Sequence, residues 1–390
     1  MRPFLSYGRQ TIEDDDVAAV AAALRNDMLT TGPLVEVYER EFANVTGAGH
    51  AVSCNSGTAA LHLAMLALDI APGESVIVPS TTFLATANVV RMVGGDVIFA
   101  DVDPDSGLMT PDTLRDALRR GVGGRAKAAI PVHLNGQCCN MPALKEIARE
   151  HGLSLVEDAC HALGAPSVGR AEHSHMACFS THPVKAITTG EGGMVTTRDE
   201  SLATKMRLFR NHGMTRDPAS FRNAAMAFDG GVPNPWYYEM NRIGWNYRLP
   251  DILCALGLSQ IRKLDRLWRA RNRIASLYDR LLMPVMPALR PVSRGNEPHG
   301  WHLYVVLIDF RAIGMTRARV MSELRAAGIG TQVHYIPVHR QPYFRELYGD
   351  LTLPGSDSYY DRCLSLPIFP MMSDEDVSYV AETLAKVVAG

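Results

Sequence analysis

The sequence predicts an α/β fold: a mainly parallel sheet with helices packed around it, followed by a smaller α+β lobe. Three observations carry this. The first two-thirds of the 390 residues alternates short apolar runs with helical stretches, the pattern of βαβ units. A loop rich in Pro, Gly and aromatics interrupts that pattern after residue 214. The last part mixes helical patterns with one strand-like run. At about 150 residues per domain, we expect a large domain over residues 1–250 and a smaller one over 251–390.

The expected strands are Ser75–Val78, Val97–Ala100, Ala128–Val132, Leu153–Val156, His175–Phe179 and Met194–Thr197. Each is a short apolar run, as strands buried on both faces should be. Between them, Ala59–Leu68 is rich in Ala and Leu. Pro111–Arg120 follows Thr110, a suitable N-cap, and has Pro in its first turn. Met141–His151 has Pro142 early and Gly152 just past its end. Thr215–Asn246 reads as loop, Asp251–Leu282 as one long helix, and Leu303–Ile308 as a strand.

Lys+Arg number 39 and Asp+Glu 41, a net charge of −2. That balance gives no reason to expect nucleic acid or an anionic membrane as partner. No apolar stretch has secretory or membrane-spanning length. The seven cysteines are scattered and form no CxxC pair. They predict reduced thiols, a cytoplasmic protein and no metal site.

Three motifs carry chemistry. Asn55-Ser56-Gly57-Thr58 precedes a helix, where small residues and backbone N–H groups suit a phosphate. They also suit an ordinary N-cap. Glu157-Asp158, with His161 close behind, ends an apolar strand, where open α/β sheets place their ligands. A carboxylate there can meet a ring nitrogen or a metal, or cap the next turn. Lys185 lies in a turn dense with hydroxyls and glycines, from Ser180 to Gly193. A partly desolvated lysine there can attack a carbonyl. Together the three are what pyridoxal phosphate needs: a phosphate cradle, a carboxylate for its ring nitrogen and an amine for its aldehyde. Phe83 offers an aromatic that could stack on the ring, or fill the core.

On these residues the chain resembles the DegT/StrS-type nucleotide-sugar aminotransferases, over nearly its whole length. The blocks Leu29-Thr-Thr-Gly-Pro33, Ser56-Gly-Thr58, Glu157-Asp158, His182-Pro-Val-Lys185-Ala-Ile-Thr-Thr-Gly-Glu-Gly-Gly193, Asn246-Tyr-Arg248, Ala255-Leu-Gly-Leu-Ser-Gln260 and Val333-His-Tyr335 stand in the family's order. The resemblance implies a fold-type I pyridoxal-phosphate transferase with a seven-stranded sheet, helices on both faces and a smaller C-terminal domain. It implies a cytoplasmic homodimer that moves an amino group, with glutamate as donor, to a keto nucleotide sugar.

By the same resemblance, Lys185 is the catalytic lysine. Asp158 meets the ring nitrogen, and Ser56, Gly57, Thr58 and Ser180 hold the phosphate. Phe83 stacks on the ring and His161 sits near its phenolic oxygen. Asn246 reaches the cofactor of the neighbouring subunit. Tyr7, Thr30, His182, Arg248, Gln332, His334 and Tyr335 line the sugar-nucleotide site. The His-Pro-x-Lys-x-Ile-Thr-Thr form is most similar to enzymes that aminate C4 of a 4-keto-6-deoxy sugar, the pseudaminic-acid type with a UDP-linked N-acetyl sugar. Such an activity serves surface or secondary-metabolite amino sugars. Other implied readings are a GDP-perosamine or C3 type, or a non-catalytic regulator on the same fold.

The sequence departs from the family in three places. Thr181 stands where many relatives have Phe, Ala165–His175 looks short, and Arg222–Pro235 looks like an insert.

Overall fold

The structure, a computed structural model, describes residues 3–121, 126–166, 168–294 and 299–389. Of the departing stretch Ala165–His175, Ser167 lies outside the described residues.

Seven strands form the main sheet: β1 (His50–Cys54), β2 (Ser75–Pro79), β3 (Asp96–Ala100), β4 (Ala126–Ala129), β5 (Ser154–Asp158), β6 (Met176–Ser180) and β7 (Gly193–Thr197). Their order is β1-β7-β6-β5-β4-β2-β3. The run from β3 to β6 is parallel, while β7 pairs antiparallel with both β6 and β1.

Successive residues of a strand point to opposite faces, and here both faces are buried. Val76, Val78, Val156, Met176, Cys178 and Val195 join one core with α3 (Gly57–Ala67), α4 (Leu84–Met92) and α7 (Glu200–Arg210). Their neighbours point the other way. Ile77 and Leu155 pack with α5 (Pro111–Arg120) and α6 (Met141–His151). Ala177, Phe179 and Met194 pack with α2 (Pro33–Thr46) and the helix Asp251–Ile261. Hence helices cover both faces, as the chain's fold class requires.

The helix expectations hold where caps are strong. Thr110 Oγ1 accepts from the Thr113 N–H at 3.2 Å, and Gly152 ends α6 at φ +65°. Three expectations need correction. Strand β1 lies outside them, as do α1 (Asp14–Ala23), α2, α4 and α7. The segment expected as strand at Ala128–Val132 is β4 at Ala126–Ala129. Beyond it Pro131 and Val132 turn toward Asp158, whose N–H donates to Pro131 O at 2.9 Å. The single helix expected at Asp251–Leu282 is two, Asp251–Ile261 and Leu264–Leu282. The first buries its apolar face beside α2, whereas the second packs against Asp374–Ala389 in a different core. Two docking directions override a continuous helical propensity.

That second core is C-terminal. Leu289–Pro291, Tyr304–Ile308 and Cys363–Leu366 form an antiparallel sheet with Tyr304–Ile308 in the centre. An arm over residues 214–243 forms two short pairings. It leaves Trp236, Met240 and Ile243 exposed. No helix among the described residues is long and apolar enough to cross a membrane.

Candidate active site

The parallel strands deliver their chemistry at their C-terminal ends, where such sheets bind ligands. Asp158 is the last residue of β5, Ser180 the last of β6, and Phe83 closes the turn after β2. These ends open into one cavity of about 610 Å³. It brings together Tyr7, Ser56, Gly57, Thr58, Phe83, Asp158, His161, Ser180, His182, Lys185, Gln332, His334 and Tyr335. Thr30, Asn246 and Arg248 lie outside it. Thr30 is exposed on the turn before α2. Arg248 Nη1 donates to Asn211 Oδ1 at 2.6 Å, and Asn246 O accepts from Asn55 Nδ2 at 3.3 Å.

Helix α3 begins at this cavity. Ser56 is its N-cap: the backbone is extended and Oγ accepts from the Ala59 N–H at 3.1 Å. The N–H groups of the first turn have no intrahelical partner, and the helix dipole favours an anion there. The cradle has no spare room: a Cβ on Gly57 would stand 2.7 Å from Ser180 Cβ. One on Gly193 would stand 2.2 Å from Ser56 O.

Asp158 is held on both oxygens. Oδ2 accepts from Thr86 Oγ1 at 2.7 Å and Oδ1 from the Cys160 N–H at 3.2 Å. His161 is fixed in one tautomer. Its Nδ1 accepts from the Asn135 N–H at 3.2 Å, so Nε2 carries the proton and donates to Tyr335 Oη at 3.1 Å. Burial, with Lys185 and His334 nearby, pulls its pKa well below the usual histidine range. Phe83 is 55% exposed although it lies on the cavity wall, which leaves a ring face free to cover a ligand.

The lysine loop is tied by hydroxyls. Thr188 Oγ1 donates to Thr181 O at 3.2 Å, and the Thr181 and Thr189 hydroxyls meet at 2.6 Å. Thr181, the departure from the family pattern, is thus part of the loop's own bonding. Burial pulls the Lys185 pKa below its ordinary value, opposed by Cys160 and Asp158. A partly desolvated amine with a depressed pKa can attack a carbonyl and then move protons.

An anion cradle at a helix start, a carboxylate at a strand end and a half-buried amine thus face one cavity. Pyridoxal phosphate fits this donor set: Ser56, Gly57, Thr58 and Ser180 would hold its phosphate, Asp158 its ring nitrogen and Lys185 its aldehyde carbon.

Sequence reasoning missed three residues. Thr86 orients Asp158. His302 Nε2 lies 3.5 Å from Lys185 Nζ. Arg271 donates to Lys185 O at 3.0 Å and Ala186 O at 3.3 Å from the helix Leu264–Leu282. The signal for Arg271 was present: a charge within the apolar stripe Leu267, Ile274, Ala275, Tyr278. Elsewhere, Glu13, Asp15 and Asp16 cluster their carboxylates. Lys263 Nζ already sits among them, 2.9 Å from Asp16 and 3.2 Å from Glu13.

Comparisons with known proteins place the chain in a family. Residues 10–385 match the family described as the DegT/DnrJ/EryC1/StrS aminotransferase family. The spore coat polysaccharide biosynthesis protein SpsC of Bacillus subtilis is 38% identical, over 99% of this chain and 98% of its own. Among solved structures, Helicobacter pylori PseC, an aminotransferase involved in the biosynthesis of pseudoaminic acid, superposes with a TM-score of 0.88 at 28% identity. The match covers 98% of this chain and 99% of that one. DesI, solved in the presence of its TDP-sugar product, gives 0.85 at 29% identity, over 100% of this chain and 94% of its own.

Proposed function

Because the chain belongs to the DegT/DnrJ/EryC1/StrS aminotransferase family, it is a pyridoxal-phosphate-dependent sugar aminotransferase, and we propose that it aminates C4 of a 4-keto-6-deoxy nucleotide sugar. The favoured acceptor is a UDP-linked N-acetyl sugar, and glutamate is the donor. The observation that carries the C4 reading is the loop His182-Pro-Val-Lys185-Ala-Ile-Thr-Thr189, which stands beside the cavity. The likeness to PseC and DesI supports a nucleotide-sugar acceptor. The likeness to SpsC supports a product destined for a surface polysaccharide.

When bound, pyridoxal phosphate supplies an aldehyde that receives the amino group and a ring that accepts electrons. The chain supplies the rest. The start of α3 and Ser180 anchor the phosphate. Asp158, held by Thr86, keeps a proton on the ring nitrogen. Phe83 covers the ring face. Lys185 Nζ takes the proton from the donor carbon and returns one to the acceptor sugar's C4 in the second half of the reaction. It does both because its loop keeps it at the reacting carbon.

We infer that a homodimer is the catalytic unit and that the reaction runs in the cytoplasm. Among the described residues lining the cavity, Lys185 is the lone Lys or Arg side chain. A nucleotide's two phosphates therefore need cations from elsewhere. Asn246 and Arg248, outside their own cavity, are the residues this reading gives to the partner's site.

The test is turnover with glutamate and a panel of UDP-, GDP- and dTDP-linked 4-keto-6-deoxy sugars and their 3-keto counterparts, read as 2-oxoglutarate released. Release with at least one 4-keto sugar is expected, and turnover confined to 3-keto sugars overturns the assignment.

A further inference from the structure

Lys185 has a neighbour that none of the roles above accounts for. His302 stands just before the central strand of the C-terminal sheet and is 4% exposed. Its Nε2 is 3.5 Å from Lys185 Nζ. Its Nδ1 is buried without a hydrogen-bond partner among the described residues. The ring packs 4.3 Å from His161, tilted by 50°. His161 has both nitrogens engaged, with Asn135 and Tyr335, so it has no lone pair left for the lysine. His302 Nε2 does.

We propose that His302 is a positioning residue for the free lysine: its Nε2 accepts a hydrogen bond from Nζ and parks the amine at the reacting carbon whenever it is not joined to the cofactor. This rests on the assignment of Lys185 as the attachment residue.

The physical need is clear. The lysine is displaced in each half of the reaction and must remain in place to move protons. Its flexible four-carbon stem does not ensure that. A fixed acceptor in the wall does, by removing freedom before the step that needs it. The role also settles the tautomer. If Nε2 accepts, the proton sits on Nδ1, the atom left without a partner. A buried unsatisfied donor is rarely retained without a use.

The surroundings keep His302 an acceptor. Burial, and after it Lys185, His161, His334 and Arg271, hold its pKa well below the ordinary histidine value. Asp158 and Cys160 act in the opposite sense on the lysine, against its burial.

Three variants test this: His302→Phe, His302→Gln and His302→Asn. The Gln amide reaches the position of Nε2, whereas the Asn amide reaches only that of Nδ1. The readout is the rate at which each apoenzyme captures pyridoxal phosphate across pH, followed by visible absorbance. This needs no sugar and is independent of which acceptor the enzyme uses. The cofactor's own ionisations are common to all chains, so differences between chains report the lysine.

Loss of the acceptor destabilises the ammonium form. The capture profile of His302→Phe should move to lower pH by about one unit, equal to about tenfold more neutral amine on its acid side. His302→Asn should move likewise, and His302→Gln should keep the native midpoint. In the glutamate half-reaction the Phe variant should lose kcat with KM retained. A native midpoint in a folded His302→Phe or His302→Asn overturns the proposal. So does a shift in His302→Gln as large as in the others. Should His302→Phe fail to fold, the Gln and Asn pair still decides.

Discussion

At the scale of single residues, the chemistry depends on where one amine sits. Lys185 is in a loop whose hydroxyls bond to one another and whose burial depresses its pKa. In the proposed mechanism, replacing it with Ala removes the attachment point. Purified Lys185→Ala should lack the visible band of lysine-bound cofactor and should not turn over. An unchanged spectrum with full activity would remove Lys185 from the mechanism. This part of the site was legible in the sequence because its groups lie within short segments: Ser56 to Thr58, Glu157 to His161, and Ser180 to Gly193. For Arg271 only its place in an apolar stripe was legible; that it and His302 meet the lysine loop was not. They reach the lysine from segments 117 and 86 residues away along the chain. No local spacing encodes such a meeting.

At the scale of elements, long-range caps set the positions of the helices. Asp251, 1% exposed, opens the helix Asp251–Ile261 and also caps another. Its Oδ1 accepts from the Gly32 N–H at 2.7 Å and its Oδ2 from the Leu34 N–H at 3.0 Å, at the start of α2. The approach is close enough that a Cβ on Gly32 would meet Asp251 Oδ2 at 2.6 Å. Asp251→Ala leaves both N–H groups unpaired and should cost about 2–4 kcal/mol, read as a lower urea midpoint. Asp251→Asn keeps one acceptor oxygen and should recover part of that loss. Equal stability of all three chains would contradict the cap. Elements with local caps, α5 and α6, were readable to the residue. The break at Arg262–Lys263 was not, because two separate cores impose it. Strand β1 was missed because His50 and Ser53 interrupt its apolar character.

At the scale of the whole molecule, the fold holds several buried histidines uncharged, whereas His133, 2.8 Å from Glu157 Oε2, is shifted the opposite way, well above the ordinary value. Burial lowers His62 to about 4 and His334 to about 3, and it depresses His161, His299 and His302 as well. The unfolded chain protonates these groups near pH 6.5, while the folded chain does not. Stability from this source is therefore complete above that pH and lost as pH falls toward the folded values. Each such histidine contributes a slope of up to about 1.4 kcal/mol per pH unit. The urea midpoint should fall steadily from pH 6.5 to 5, before the carboxylates begin to titrate. A flat profile over that window would contradict neutral burial.

The α/β class itself was legible because alternate strand residues had to be apolar on both faces. The acceptor sugar is not written in the sheet but in the cavity above it. The most direct measurement there is the position of the nitrogen after reaction with ¹⁵N-labelled glutamate and a UDP-linked 4-keto-6-deoxy N-acetyl sugar. The label should appear on C4 of the product, read by NMR coupling to the C4 proton. Label on C3, or no transfer to any 4-keto sugar, would contradict the account.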